Sequence, residues 1–336
     1  MRYDAAVIGA GPAGSFAASR LSSLGYKTVM IDPCDKKKVC AGILTAQYVR
    51  NYGINEVFAE RKLKGVRISF HGINAEINYK QAVEYSIDRQ VYDFFNINEA
   101  IDAGSELRRD LVSSLHEKDS YVEIRTKKGV IIAEYVILAS GISDLSRRFG
   151  GTRTYAFCVQ QKKDTNPDDY FEMDLFKGGY SWIAPKRDHV LTGTSSTTDY
   201  PDIPGEKALI PVGGPVKRTY SRRILLVGDA AGFVSPFEGE GLYYARRSGE
   251  IAAEVLSGVM SGENIIEDYE RWWKKEFDFS ALNVISGLLS RDRVLELFVS
   301  EIRDNGRFNK LVENILTEES KKLAIKDVSS LLKKLI

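Results

Sequence analysis

The chain has 336 residues, 43% of them apolar and 28% charged, with a formal net charge of +1 at pH 7. This is enough chain and apolar content for one large globular domain or two entwined ones, and the near-zero charge excludes nucleic-acid binding through bulk electrostatics. No apolar run reaches the ~18 residues of a spanning helix, and three cysteines (Cys34, Cys40, Cys158) are too few for a disulfide framework, which points to a reducing, cytoplasmic setting.

The first predicted element is a buried strand over residues 3–8. It starts almost at residue 1, so no signal peptide is expected ahead of it. Gly9-Ala10-Gly11-Pro12-Ala13-Gly14 follows. A helix of small residues, 15–24, comes next. Strand, Gly-x-Gly-x-x-Gly turn and helix together form a dinucleotide-binding fingerprint. Gly9 permits the turn, Gly11 lets backbone approach a pyrophosphate, and Gly14 lets helix pack on strand. The helix N-terminus aims free N–H groups at the phosphates. A second strand, 27–31, ends at Asp32, where a carboxylate takes a ribose hydroxyl pair.

Residues 33–44 read as a loop with a lysine run, Lys36 to Lys38, and Cys40 in a small-residue turn. The lysine run is either a solvated loop or a steering charge for an anionic ligand. Residues 45–60 are expected to be helical. Segments 65–70 and 75–87 alternate as strands, forming a hairpin about His71-Gly72. Asp88 is the predicted N-cap of a helix over 89–103, which Gly104 closes. Residues 106–139 carry three or four strands. The last of them, 135–139, is apolar enough to be a central parallel strand. A second strand block covers 155–161, 169–176, 180–184 and 189–196, and 199–215 reads as loop. Ile224 to Asp229 is another buried strand, followed by a helix over 240–260. From Glu267 onward the pattern is helical. Trp272-Trp273 lies there as a packing pair or an interfacial anchor. The last segment puts Ala324, Val328, Leu331, Leu332 and Leu335 on one face, as a packed helix or one resting on a membrane. His71, His116 and His189 share no ligand spacing, so no metal site is expected.

The predicted fold class is α/β: a Rossmann-like domain with an inserted antiparallel β-sheet substrate domain and a C-terminal helical tail. The first domain is discontinuous, comprising 1–60, 88–150 and 216–265. The inserted sheet takes 61–87 and 151–215, and the helical region 266–336.

A second motif decides which dinucleotide. Gly228-Asp229-Ala230-Ala231-Gly232 continues into Ser235-Pro236-Phe237-Glu238-Gly239-Glu240-Gly241-Leu242. With the opening turn, this resembles the glutathione-reductase-type FAD fold in its para-hydroxybenzoate hydroxylase branch. The extension Pro-x-x-Gly-Glu-Gly-x-x-x-Ala resembles one family of that branch, the geranylgeranyl reductases. The resemblance covers residues 5 to about 255 and implies FAD as cofactor. Gly9, Gly11, Ala13, Gly14 and Asp32 would hold its adenosine diphosphate half. Gly228 and Asp229 would meet the ribityl chain, and Gly241 and Leu242 would present amides to the flavin. A helix N-terminus there stabilises the negative charge of reduced flavin.

Three further segments resemble the same family. The 38–43 segment, with Cys40 and Ala41, is similar to its Cys-Gly-Gly turn against the isoalloxazine, with Ala41 in place of Gly. Ile87-Asp88-Arg89 is similar to its Asp-Arg helix start, whose Arg reaches the cofactor, and Val112 is assigned to the cofactor too. The 179–186 segment is similar to its Tyr-x-Trp-x-x-Pro strand, which implies Tyr180, Trp182 and Pro185 as substrate-binding residues. The branch's second phosphate motif is altered here, with Ser140 and Asp144 at its Asp and Ser positions.

The implied reaction saturates C=C bonds of isoprenoid (geranylgeranyl) chains of lipids by hydride transfer from reduced flavin, with Cys40 and Tyr180 as candidate catalytic residues. Cys40 could donate a proton or only contact the flavin. Other flavin chemistry on the same fold stays open: a monooxygenase or halogenase-like enzyme, a dehydrogenase, or a flavoprotein that only carries electrons or binds lipid. The electron donor, NAD(P)H or a ferredoxin, is also open. The expected location is cytoplasmic, with peripheral contact at the inner face of the membrane as a further option.

Overall fold

Strand Arg2–Ile8 sits inside a seven-stranded sheet of the computed structural model, which describes residues 2–35, 38–81, 83–150, 154–236 and 238–317. It pairs in parallel with Thr28–Ile31 on one side and Gly129–Leu138 on the other. Glu106–Arg108 extends the sheet in parallel beyond Thr28–Ile31, and Ile224–Leu226 pairs in parallel with the end of Gly129–Leu138. Val122–Thr126 and Val112–Glu117 add an antiparallel flank. The parallel strands read as continuous apolar runs because both faces are covered; Ala5, Ala6, Val7, Val136, Ile137 and Leu225 are wholly buried. Helices Pro12–Ser23 and Leu242–Ser261 pack on each other through small residues, among them Ala13 and Gly249.

A second seven-stranded sheet is built from Gly65–Phe70, Ile73–Asn78, Ala156–Lys163, Tyr170–Phe176, Gly179–Pro185, Val190–Ser196 and Glu206–Ile210. Its pairings are antiparallel except one: Tyr170–Phe176 runs parallel to Gly65–Phe70. The inserted sheet is therefore mixed, because Gly65–Phe70 enters from a distant part of the chain and no tight turn fixes its direction. A third, three-stranded sheet joins the two layers: Ile43–Leu44, Ala59–Leu63 and Glu84–Ile87. It straddles the expected borders at 60 and 87.

Three expectations change. The helix expected over 45–60 stops at Tyr52, and Ala59–Leu63 is a strand, because pairing with Glu84–Ile87 outweighs weak helix propensity. Residues 206–210 form a strand on the free edge of the second sheet. Pro201 and Pro204 keep only its approach irregular, and exposed Glu206 and Lys207 blunt that edge. The C-terminal helices do not stand apart. Asp268–Glu276 joins the nucleotide-domain core, whereas Asp292–Asp304 and Gly306–Thr317 cover the inserted sheet, with Leu295, Phe298, Val299, Phe308 and Val312 against Val66, Ile68 and Ile77. The amphipathic segment 324–335 lies outside the described residues. No helix among the described residues is long and apolar enough to cross a membrane.

Candidate active site

A cavity of about 1120 Å³ begins at the opening turn and continues between the two large sheets. At its first end the geometry suits a dinucleotide. A Cβ on Gly14 would lie 1.9 Å from the Gly9 carbonyl oxygen, so helix and turn meet at a separation only glycine permits. A Cβ on Gly11 would meet nothing within 4 Å, which leaves room above the turn. Helix Pro12–Ser23 starts without a side-chain cap, so its first N–H groups are available to an anion. The Asp32 carboxylate is already oriented, accepting the Ala10 N–H at 2.9 Å and the Cys34 N–H at 2.6 Å. Val112 lines the same end.

The middle of the cavity is polar. Asp229 faces it from the turn Gly228–Ala231 and pairs with the Lys38 ammonium at 3.0 Å, which raises the pKa of that lysine. Gly241 is the uncapped N-cap of Leu242–Ser261. Asp88 caps the helix Arg89–Asp102 as expected, accepting from Gln90 and Val91. Arg89, pointing inward, pairs with Asp93 at 3.0 Å and stands beside the Cys40 sulfur, yet its buried Nε has no hydrogen-bond partner. A buried, unanswered N–H lining a cavity suits an electron-rich ligand atom. Cys40 Sγ accepts the Gly42 N–H at 3.3 Å. Lys186, almost fully buried, fixes that turn from behind. Its Nζ donates to Ile87 O at 2.7 Å and Gly42 O at 3.4 Å and faces Glu60 at 3.6 Å. Desolvation lowers its pKa to about 8.

The far end is apolar. Val66, Ile68, Phe171, Met173 and Leu175 line it from the inserted sheet, and Phe298, Val312, Ile315 and Leu316 from the C-terminal helices. Tyr180 and Trp182 project from one side of their strand, ring centroids 5.9 Å apart. Trp182 lies flat over Gly193 on the neighbouring strand, where a Cβ would come within 2.1 Å of the indole. The Tyr180 hydroxyl donates to the Glu238 carbonyl at 2.8 Å. Two acids share this chamber. Glu84 accepts from the Tyr79 hydroxyl at 2.9 Å, and burial pushes its pKa up to about 8. Burial likewise raises Glu238 to about 6.

Of the residues expected from sequence, Gly9, Gly11, Ala13, Asp32, Cys40, Ala41, Arg89 and Val112 line this one cavity, as do Tyr180, Trp182, Gly228, Asp229, Gly241 and Leu242. Gly14 supports the turn from below. Pro185 is buried at the end of its strand and does not line the cavity. Glu84, Glu238 and the inward-pointing Lys186 were not anticipated as site residues. An acid or a lysine within an alternating strand, or in a turn, carries no local sign that distant segments will bury it.

The buried Glu84 gives a stability test. A carboxyl with a raised folded pKa binds a proton that the unfolded chain has already released, so stability falls as pH rises from about 4.5 to about 8. Glu84→Gln keeps an acceptor for Tyr79 and removes the charge. Denaturant unfolding should show the variant gaining on the parent across that window, by on the order of 4 kcal/mol at pH 8. A parallel pH dependence in both proteins would contradict a raised Glu84.

Comparison with known proteins agrees with this geometry. No family model matches the chain. It is 26% identical, over 97% of its length and 95% of the relative's, to a digeranylgeranylglycerophospholipid reductase of Methanococcus vannielii. It is 27% identical, over 90% of its length and 79% of the relative's, to a chloroplastic geranylgeranyl diphosphate reductase of Oryza sativa. Among solved structures, a geranylgeranyl bacteriochlorophyll reductase-like protein of Thermoplasma acidophilum superposes with a TM-score of 0.77 at 21% identity, covering 100% of this chain and 99% of that one. A flavin-dependent brominase shares the fold at a TM-score of 0.74 and 16% identity, covering 99% of this chain and 98% of that one. The chain thus has the fold of flavin-dependent oxidoreductases, and its sequence is similar to geranylgeranyl-type reductases along nearly its whole length.

Proposed function

We propose that the enzyme saturates C=C bonds in isoprenoid chains carried on lipids. The observation that carries this reading is the continuity of the cavity, from a dinucleotide turn directly into a chamber walled by aliphatic and aromatic side chains. A long apolar chain fits such a chamber, and a small polar substrate would leave it poorly filled.

FAD, when bound, supplies the hydride that adds to an alkene carbon. The chain's own residues do the rest. Gly9, Gly11 and the first turn of Pro12–Ser23 would receive the pyrophosphate, with Asp32 on the adenosine ribose. Asp229, exchanging its Lys38 partner, would take the ribityl hydroxyls, and the amides at Gly241 and Leu242 would face the pyrimidine edge. Arg89 Nε would find its missing acceptor there. The C-terminal helices wall the apolar end, and a prenyl chain filling it would displace water. An isolated alkene develops cationic character as it is reduced, and the ring faces of Tyr180 and Trp182 stabilise such charge. Cys40, whose sulfur accepts the Gly42 N–H on a turn that Lys186 braces, would face the reacting centre.

The test is anaerobic. Dithionite-reduced protein mixed with a geranylgeranyl lipid should give products heavier by one hydrogen pair per bond reduced, read by mass spectrometry. Oxygen consumption with an aromatic substrate, and no prenyl reduction, would transfer the protein to the monooxygenase or halogenase class. Cys40→Ala should keep FAD and lose about fivefold in turnover, the factor that corresponds to a lost sulfur contact of about 1 kcal/mol. A loss beyond a hundredfold would assign the transferred proton to the thiol.

A further inference from the structure

We propose that Glu238 is the acid that protonates the alkene: its carboxyl faces the apolar chamber beside Tyr180, from the loop that precedes the uncapped end of Leu242–Ser261. The inference rests on the reading of the protein as a reductase of prenyl double bonds.

Such a bond bears no electron-withdrawing group, so hydride alone does not add to it. The π electron pair takes a proton at the less substituted carbon, and the tertiary carbon takes the hydride with its two electrons. One C=C π bond is lost and two C–H bonds form. The reduced flavin is oxidised by two electrons, and the acid is left as a carboxylate, which regains a proton from water after the product leaves.

The two neighbouring phenol hydroxyls are engaged. The Tyr180 hydroxyl donates to the Glu238 carbonyl, and the Tyr79 hydroxyl donates to Glu84. Cys40 is a thiol, intrinsically a weaker acid than a carboxyl. The Glu238 carboxyl has no hydrogen bond or ion pair among the described residues. Its surroundings favour the neutral form. Glu84 faces it from strand Glu84–Ile87, Tyr79 from the end of the neighbouring hairpin, and Tyr180 from strand Gly179–Pro185. Glu313 of helix Gly306–Thr317 lies beyond Tyr79, with its charge answered by Lys310. Burial already holds Glu238 at about 6, and an entering isoprenoid displaces more water and raises it further. An acid poised near the working pH is the effective kind.

The experiment compares the parent holoenzyme with Glu238→Gln and Glu238→Asp, using a geranylgeranyl lipid and dithionite-reduced FAD under anaerobic conditions. Flavin reoxidation in a single turnover should slow 10²- to 10⁴-fold in Glu238→Gln, with FAD retained and lipid affinity unchanged. In the parent, the rate should fall about tenfold per pH unit above the pKa of the acid; the residual rate of Glu238→Gln should be flat. Glu238→Asp, which keeps an acid, should recover the pH limb and an intermediate rate. Difference infrared spectra of the oxidised holoprotein should show a carboxylic C=O band that titrates near pH 6 and is missing from Glu238→Gln. Reoxidation of Glu238→Gln within threefold of the parent, an unchanged pH profile, or Glu238→Asp no faster than Glu238→Gln would overturn the proposal. A parent that reduces no prenyl lipid would instead remove the functional reading, and this proposal with it. Parent and variants all active would remove the role of Glu238 alone.

Discussion

Gly14→Ala is expected to yield protein without FAD. The added Cβ would sit 1.9 Å from the Gly9 carbonyl oxygen and 3.2 Å from the Ala139 Cβ. Neither can move away cheaply. Gly9 has a φ of +102° and lies against the Ala139 carbonyl, and its N–H bonds the Ile31 carbonyl at 2.9 Å. Helix Pro12–Ser23 would have to lift off the strand and would carry its phosphate-facing turn with it. Overpacking of this kind typically costs 1–3 kcal/mol, and backbone against backbone lies at or above the upper end. The expected result is a colourless purified variant with a lowered denaturant midpoint, which added FAD does not restore. A yellow, fully loaded Gly14→Ala would mean that the helix is not seated as described.

Trp273→Ala is expected to cost about 3–5 kcal/mol, the usual penalty for deleting a buried tryptophan. The indole stacks in a cluster with Phe233, Phe277 and Phe279, at 4.9 Å from the Phe233 ring. Its N–H donates to the buried Thr219 hydroxyl at 2.9 Å, and that acceptor would be orphaned. Phe233 directly follows the Gly228–Gly232 turn, so loss of its support should also weaken FAD retention. Trp272, on the other side of the same helix, is partly exposed, and Trp272→Ala should change stability by less than about 1 kcal/mol. Denaturant titrations of the pair provide the check, and equal costs would contradict the assigned faces. The Trp-Trp pair thus divides as adjacent helix positions must: one ring packs and the other points away.

Much of the nucleotide half was legible because its signals are local. The strand, turn and helix from residue 3 to 24 are contiguous, and the spacing to Asp32 is short. The hairpin turn at His71-Gly72 and the Asp88 cap depend on the chemistry of a few neighbouring residues. The strand over 135–139 announced its central place through an unbroken apolar run. Local preference gave way where pairing with a distant partner outweighed it. Ala59–Leu63 became a strand because Glu84–Ile87 lies beside it, and Glu206–Ile210 because Ala156–Lys163 offers an edge.

By itself the sequence determined a Rossmann-like nucleotide domain, an inserted sheet and a set of candidate cofactor residues that the fold gathers along one cavity, since each follows from short-range periodicity, glycine geometry or a contiguous motif. Only the tertiary structure decided what surrounds the substrate. Cys40, Glu84, Tyr180, Glu238 and Phe298 come from five separate segments and meet only after both sheets and the C-terminal helices have packed. Whether an acid stays charged in water or becomes a neutral donor in a dry chamber depends on that long-range burial, and no window of neighbouring residues encodes it.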